Sequence, residues 1–165
     1  KPLPVAKGPG RSWTIESALT EVTDLSQADE VNGGDMFKAT LCSQCHAHSG
    51  AGGASGPELS NLGNRFSKED ILTAIIHPSE VISDQYAFTI LHLKDGSEVH
   101  GRVIEENDTQ VFIASNAFDL SVKTVVEKAS IVKQSNSTHS PMPASLINAL
   151  NPDELRDLML FLTGK

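Results

Sequence analysis

Residues 41–46 have the sequence Leu-Cys-Ser-Gln-Cys-His and contain both cysteines of the 165-residue chain. Cys42 and Cys45 are three positions apart, a spacing that places both thiols on one face of a helical turn. Two such thiols can form thioethers to the two vinyl groups of a single porphyrin, and the adjacent His46 can offer a ring nitrogen to the iron. This Cys-x-x-Cys-His pattern is typical of covalent attachment of a c-type haem. It predicts one haem c, with His46 as a metal ligand.

Other uses of these thiols fit the sequence less well. A structural zinc site needs a second ligand pair at a comparable spacing, and only His48 lies nearby. A redox dithiol would follow a strand of a βαβ unit, whereas the residues before Cys42 have a helical pattern. A disulfide between Cys42 and Cys45 would close a loop too short to stabilise the chain much. Haem attachment therefore remains the favoured interpretation.

A six-coordinate haem iron needs a second protein ligand, usually a methionine sulfur or a histidine nitrogen. Met142 lies between two prolines in the sequence Ser-Pro-Met-Pro, where the fixed backbone would present its thioether from a rigid loop. Met36 and Met159 fall in helical patterns and are expected in the core. His139 is the main alternative ligand. The other histidines outside the motif are expected to be ordinary surface or packed residues: His77, His92 and His100.

Helical patterns occur at both ends of the chain. The pattern over residues 33–41 predicts a helix running into the Cys-x-x-Cys-His motif, followed by a glycine-rich loop over residues 48–65. Ser67 begins a second helix with a capping box, and Pro78 ends it. Asn151 begins the last helix, which ends at Gly164.

Near Tyr86 the hydrophobic period changes from about 3.6 to 2, which predicts strands. Asp95 and Gly96 form a strong hairpin signal. About five strands are expected: residues 88–93, 99–104, 111–114, 120–126 and 131–133. Short turns between consecutive strands favour a meander or a small SH3- or Sm-like barrel.

These patterns predict an α+β chain in which a helical domain receives a β insertion. Residues 1–30 form an N-terminal linker or extension, because the first eleven contain three prolines and two glycines. Residues 31–85 and 135–165 form the helical haem domain. Residues 86–134 form the inserted β subdomain. Its role is left open among four: docking a partner, self-association into a homodimer, shielding the haem edge, or acting as a spacer.

The formal net charge of −8 argues against a nucleic-acid partner, since such binding needs a basic surface. No apolar run approaches the roughly 20 residues of a membrane span. The chain has neither an initiator Met nor a signal peptide, so a processed or excised product is expected. Because covalent c-haem is attached outside the cytoplasm in bacteria, the motif predicts a periplasmic or otherwise exported location.

The chain resembles the class I cytochrome c domain, and more narrowly the haem-binding domain family of planctomycetes and verrucomicrobia, whose cytochrome fold carries a β insertion. The resemblance covers residues from about 31 to the C-terminus. Its segments are Gly34-Asp-Met-Phe37, Cys42-Ser-Gln-Cys-His46, Gly56-Pro-Glu-Leu59, Asn61-Leu-Gly-Asn-Arg65, Ile75-Ile-His-Pro-Ser79, Asp95-Gly96 with Gly101, and Met142-Pro143. Such domains often occur fused to large exported dehydrogenase-like proteins.

The resemblance implies roles for matched positions. The carbonyl of Pro57 would accept a hydrogen bond from the His46 ring and set its tautomer. Leu59 and Leu62 would pack on the haem face, and Asn61 or Arg65 would bind a propionate, although Arg65 could equally be a solvated loop cation. Gly34 and Phe37 would meet the last helix near Leu158 and Phe161.

These observations predict a monohaem electron carrier with no catalytic residues, in which His46 and Met142 stay bound to the iron. A redox protein is the expected partner, either separate or as a fused or associated dehydrogenase. One alternative is a gas sensor or peroxidase-like domain with a displaceable distal ligand. Another is a non-haem binding module in which the β insertion is the active part.

Overall fold

The computed structural model describes residues 1–165, which divide into two compact units. The first unit comprises residues 1–80 and 143–165, and the second comprises residues 81–142. The first is mainly helical and the second is a five-stranded antiparallel sheet, so the predicted α+β class is confirmed.

The first unit contains five helices and one short hairpin. The helices are α1 (Ile15–Glu21), α2 (Glu30–Ala39), α3 (Cys42–Cys45), α4 (Lys68–Ile76) and α5 (Pro152–Thr163), and the hairpin pairs β1 (Ala47–His48) with β2 (Ala51–Gly52). The longer helices begin at residues whose side chains accept backbone N–H groups of the first turn: Asp29 for α2, Ser67 for α4 and Asn151 for α5. None of the helices combines the length and the hydrophobicity that crossing a membrane requires.

The main contact of the first unit is between α2 and α5. A Cβ on Gly33 would lie only 2.1 Å from the carbonyl oxygen of Asp157, so the absence of a side chain lets the two backbones approach. The Phe37 and Phe161 rings are tilted with centroids 5.4 Å apart, and a Cβ on Gly34 would lie 3.2 Å from the edge of the Phe161 ring. The predicted contact of Gly34 and Phe37 with Phe161 is therefore confirmed.

The segment before α1 is held against the start of α5. The backbone N–H groups of Lys7 and Gly8 donate to the Glu154 carboxylate, and the Asn151 side chain donates to the Gly8 carbonyl. Trp13 is 5% exposed, and its indole donates to the Leu150 carbonyl. Linker behaviour therefore does not describe residues 7–13, because these hydrogen bonds to residues distant in sequence fix the backbone.

The second unit is an antiparallel sheet with the strand order β6-β5-β4-β3-β7. Its strands are β3 (Thr89–Leu93), β4 (Glu98–Glu106), β5 (Gln110–Ala114), β6 (Thr124–Glu127) and β7 (Ile131–Asn136). One face is apolar, with Leu91, Val111, Ile113 and Val126 fully or nearly fully buried. The register shifts between Val103 and Glu105 and again between His92 and Leu93, so the sheet contains two irregularities.

The predicted strands agree with the sheet except at residues 120–126, where only the last part is a strand. Asp119 Oδ1 accepts hydrogen bonds from the N–H and hydroxyl of Ser121, and Asn116 Oδ1 accepts from the N–H of Phe118. Such side-chain bonds favour turns over extended pairing. Leu120 and Val122 therefore alternate with polar residues but do not belong to a paired strand.

Candidate functional site

The Cys-x-x-Cys-His motif forms its own short helix. The sequence predicted one helix running into the motif, but α2 ends at Ala39 and Leu41 adopts a left-handed φ of 66°, which separates α2 from α3. The N–H of His46 donates to the carbonyl of Cys42 over 2.9 Å and closes the single turn of α3. Cys42 and Cys45 are thus on one helical turn, with His46 directly after it.

The two cysteines differ in exposure. Cys42 is 9% exposed, and its Sγ lies 3.3 Å from the hydroxyl of Thr40, which is also buried. Burial raises the pKa of the Cys42 thiol, and the Thr40 hydrogen bond partly opposes this. Cys45 is half-buried, and no disulfide joins the pair. Neither sulfur is therefore consumed by a disulfide, and each residue keeps the thiol that a thioether requires.

The His46 ring is oriented by a backbone carbonyl. Its Nδ1 lies 2.8 Å from the carbonyl oxygen of Pro57, the bond that the resemblance predicted. Because a carbonyl only accepts, Nδ1 carries the proton and Nε2 keeps the lone pair. Burial lowers the pKa of His46, with the Pro57 bond acting in the opposite direction. A neutral imidazole with a lone pair on Nε2 is the form that binds a metal ion.

The glycine-rich loop wraps closely around this turn. The N–H of Gly53 donates to the Ser43 carbonyl over 2.9 Å, and the N–H of Gly56 donates to the Cys45 carbonyl over 2.8 Å. A Cβ on Gly56 would lie 2.5 Å from Cε1 of His46, closer than a side chain can approach. The loop therefore needs glycine at position 56 because its backbone passes directly beside the imidazole.

His48 connects this loop to α5, a role that the sequence did not reveal. Its Nε2 donates to the Phe161 carbonyl over 3.0 Å, and its ring stacks on the Phe161 ring with centroids 3.9 Å apart. On the other side, Ser49 Oγ lies 3.2 Å from His48 Nδ1, and the Ser49 N–H donates to the hydroxyl of Ser60. The Ser60 hydroxyl in turn donates to the Glu58 carboxylate. No local pattern signals these contacts, because the partner of His48 in α5 lies 113 residues away.

The remaining predicted positions lie on the segment after Pro57. Leu62 is buried, and Leu59 is half-buried with its N–H donating to the Ala47 carbonyl over 2.9 Å. Asn61 adopts a left-handed φ of 55° at the start of a 3-10 turn. The exposed Arg65 guanidinium lies 5.7 Å from the centroid of the Phe66 ring. Their contacts with a haem remain predictions.

The methionines divide between core and loop. Met36 and Met159 are 3% and 1% exposed within α2 and α5, so their predicted core role is confirmed. Met142 is half-buried at the end of the second unit, and its N–H donates to the Ser140 hydroxyl over 3.1 Å. His139 is exposed. The choice of Met142 over His139 as second iron ligand remains a prediction.

No group of three or more His, Cys, Asp or Glu side chains lies close enough together to hold a metal ion. No protein-family model matches this chain, and no curated protein matches it either. The residues and geometry of the motif itself are therefore the features of the chain that indicate its function.

Proposed function

We propose that this chain is a monohaem c-type cytochrome domain that transfers electrons. One observation carries the proposal: Cys42 and Cys45 lie on a single helical turn, followed by an imidazole whose Nδ1 is bonded to the Pro57 carbonyl 2.8 Å away. That bond leaves Nε2 of His46 as the only ring nitrogen with a lone pair. Two thiols and a metal-binding nitrogen are thus arranged as covalent haem attachment requires.

The residues present fit a haem c. Cys42 and Cys45 would hold it by thioethers, His46 Nε2 would bind the iron, and Met142 would supply the sixth ligand. When bound, the haem supplies a one-electron ferric–ferrous couple. The Pro57 carbonyl holds the proton on Nδ1 and orients the ring, and Gly56 leaves the space beside the ring free of a side chain. A fixed ring orientation keeps the ligand geometry similar in both oxidation states, which suits electron transfer.

We assign the first unit to the class I cytochrome c fold. The support is the close crossing of α2 and α5, where Gly33 removes the side chain between the backbones and Phe37 meets Phe161. The resemblance places the terminal helices of such domains in contact, with the haem-attachment turn directly after the first. The five-stranded second unit would be the β insertion of the narrower family, because it interrupts the helical unit between Glu80 and Pro143.

The proposal includes a location and a partner. A covalent c-haem implies assembly outside the cytoplasm, so we infer a periplasmic or exported protein. The net charge of −8 favours a redox partner with a basic docking surface. A dehydrogenase, fused or associated, is the partner class that the resemblance implies.

The decisive experiment is expression in a bacterial host that matures c-type cytochromes. We expect the purified chain to carry the added mass of one haem on the peptide that contains Cys42 and Cys45. The variants Cys42→Ala and Cys45→Ala each remove one thioether and should lower the amount of covalently bound haem. His100→Ala is the control, since His100 lies in the second unit outside the motif. A colourless wild-type protein of unmodified mass would overturn the proposal.

Binding of CO separates electron transfer from the gas-sensor or peroxidase alternative. If His46 and Met142 both ligate the iron, the ferrous protein should bind CO slowly or weakly, because a protein ligand must first leave. Rapid and stoichiometric binding by the wild-type protein would favour an open distal position and the alternative function. The measurement is the visible spectrum during a CO titration.

A further inference from the structure

A chain of hydrogen bonds crosses three strands of the second unit and has no part in the proposed haem function. Nε2 of His92 on β3 lies 3.1 Å from Oγ of Ser135 on β7. Nδ1 of the same ring lies 3.1 Å from Oε1 of Glu98 on β4. The second oxygen of Glu98 lies 2.8 Å from Nε2 of His100. A hydroxyl, an imidazole and a carboxylate are therefore connected in that order.

The sheet register brings these side chains together. His92 pairs with Glu98 across β3 and β4, and with Lys133 across β3 and β7. Ser135 is two residues beyond Lys133 and so lies on the same face of β7. Leu91, next to His92, lies on the opposite face and is fully buried in the core. The polar group is thus on the outer face of the sheet, where His92 has 27% of its side chain exposed.

The chemistry of the partners fixes where the protons are. A carboxylate only accepts, so Nδ1 of neutral His92 carries the proton that faces Glu98. Nε2 of His92 must then accept, and the Ser135 hydroxyl must donate to it. The hydrogen bond from His100 holds the pKa of Glu98 below its usual value, so this carboxylate stays ionised at neutral pH.

We propose that Ser135 is an activated nucleophile, with His92 as its general base and Glu98 as the carboxylate that orients the base. The chemical class of substrate is a small carboxylic ester with a good leaving group. The Ser135 oxygen would attack the acyl carbon while its proton passes to Nε2 of His92, the bond to the leaving alkoxide or phenoxide would break, and His92 would return the proton to the departing oxygen. Water would then attack the acyl-serine with His92 again taking and returning a proton, which releases the carboxylic acid and restores the hydroxyl.

The test uses a fluorophosphonate probe on the full-length chain, followed by peptide mass spectrometry. In this reaction the serine oxygen forms a bond to phosphorus, the phosphorus–fluorine bond breaks, fluoride leaves, and the hydroxyl proton passes to His92. Ser97 and Ser121 are internal references, because their hydroxyls bond Asp95 and Asp119 instead of an imidazole. We expect Ser135 to be labelled at least about tenfold faster than either reference, given that a positioned base typically contributes 10²–10⁴-fold.

Variants test whether His92 causes the faster labelling of Ser135. Ser135→Ala should remove the label from that peptide, and His92→Gln should slow labelling of Ser135 by about tenfold or more. Ser97→Ala should leave the labelling of Ser135 unchanged. Labelling of Ser135 no faster than the references, or labelling that survives His92→Gln at full rate, would overturn the proposal. The comparison of serines within the wild-type chain stays valid if a variant fails to fold, and its outcome does not depend on haem attachment.

Discussion

Gly56 sets how closely the glycine-rich loop approaches the His46 ring. An alanine Cβ there would lie 2.5 Å from Cε1 and 2.7 Å from Nδ1, so Gly56→Ala must move either the ring or the loop. We expect the free energy of unfolding to fall by about 1–3 kcal/mol, as in other overpacked sites. If His46 is the iron ligand, the yield of covalently attached haem should fall as well. Chemical denaturation and visible absorbance measure the two effects.

Gly50→Ala is the matched control for this loop. Gly50, unlike Gly56, has a positive φ, 82°, but no atom lies within 4 Å of the position that a Cβ would take. Alanine there costs about 1–2 kcal/mol of backbone strain and leaves the imidazole alone. An equal loss of haem attachment in both variants would show that loop stability, and not contact with His46, controls attachment.

At these positions the sequence predicted local geometry better than it predicted packing. The Cys-x-x-Cys-His spacing indicated a shared turn because three-residue spacing is a local property of a helix, and α3 has that geometry. The stacking of His48 on Phe161 depends on a contact between residues far apart in sequence, and no local pattern encodes such a contact. The hydrogen-bonded group of Ser135, His92 and Glu98 was not predicted for the same reason, because only the register of three strands brings these side chains together.

The crossing of α2 and α5 leaves no space for a side chain at Gly33. Gly33→Ala would place a Cβ 2.1 Å from a backbone oxygen of α5, which cannot move without separating the helices. We expect a loss of about 1–3 kcal/mol of unfolding free energy, although alanine is the better helix former. Gly34→Ala is the control, because its Cβ would meet only the edge of the Phe161 ring, at 3.2 Å. Equal stability of the two variants in urea denaturation would contradict this packing.

Glu154 determines whether the N-terminal segment stays attached to the start of α5. Its buried carboxylate accepts backbone N–H groups from Lys7, Gly8 and Asn151. Glu154→Gln replaces an anionic acceptor with a neutral amide whose NH₂ cannot accept, and we expect a loss of about 1.5–3 kcal/mol. Hydrogen exchange at Lys7 and Gly8 should accelerate in the same variant.

Asp153→Asn is the control, because it removes the same charge one residue earlier in the first turn of α5. The Asp153 side chain is 84% exposed and pairs only with Arg156, so the change should cost less than about 1 kcal/mol. If the two variants lost equal stability, the charge at the helix start would explain the effect without any role for the N-terminal segment.

The helices and strands were mostly predictable because their signals are local: capping boxes at Ser67 and Asn151, and period-2 alternation in the sheet. The N-terminal segment was not predictable from its composition. Proline and glycine indicate a chain without regular structure, but they carry no information on whether distant groups bond it. Trp13 is the only tryptophan of the chain, and a side chain of this size is the one sequence feature that indicates contact with a core here. In the structure it is buried.

At the scale of the molecule, the chain combines a helical unit that holds both cysteines and His46 with a sheet unit that ends at Met142. If the first unit is the haem domain, removing residues 81–142 should leave covalent attachment possible, since Cys42, Cys45 and His46 remain. The helical unit also keeps the α2–α5 crossing and the bonds of Glu154. A flexible linker of about ten Gly and Ser residues would join Glu80 to Pro143.

The shortened chain tests the second iron ligand. We expect covalently bound haem, no weak far-red sulfur-to-iron band in the ferric spectrum, and rapid CO binding in the ferrous form, because Met142 has been removed with the sheet. Met142→Ala in the full-length chain should have the same spectroscopic effect without the deletion, so the prediction can be tested even if the shortened chain does not fold. His139→Ala should keep the far-red band. Persistence of that band in Met142→Ala would mean that another sulfur binds the iron, and the electron-transfer site would have to be assigned again around that residue.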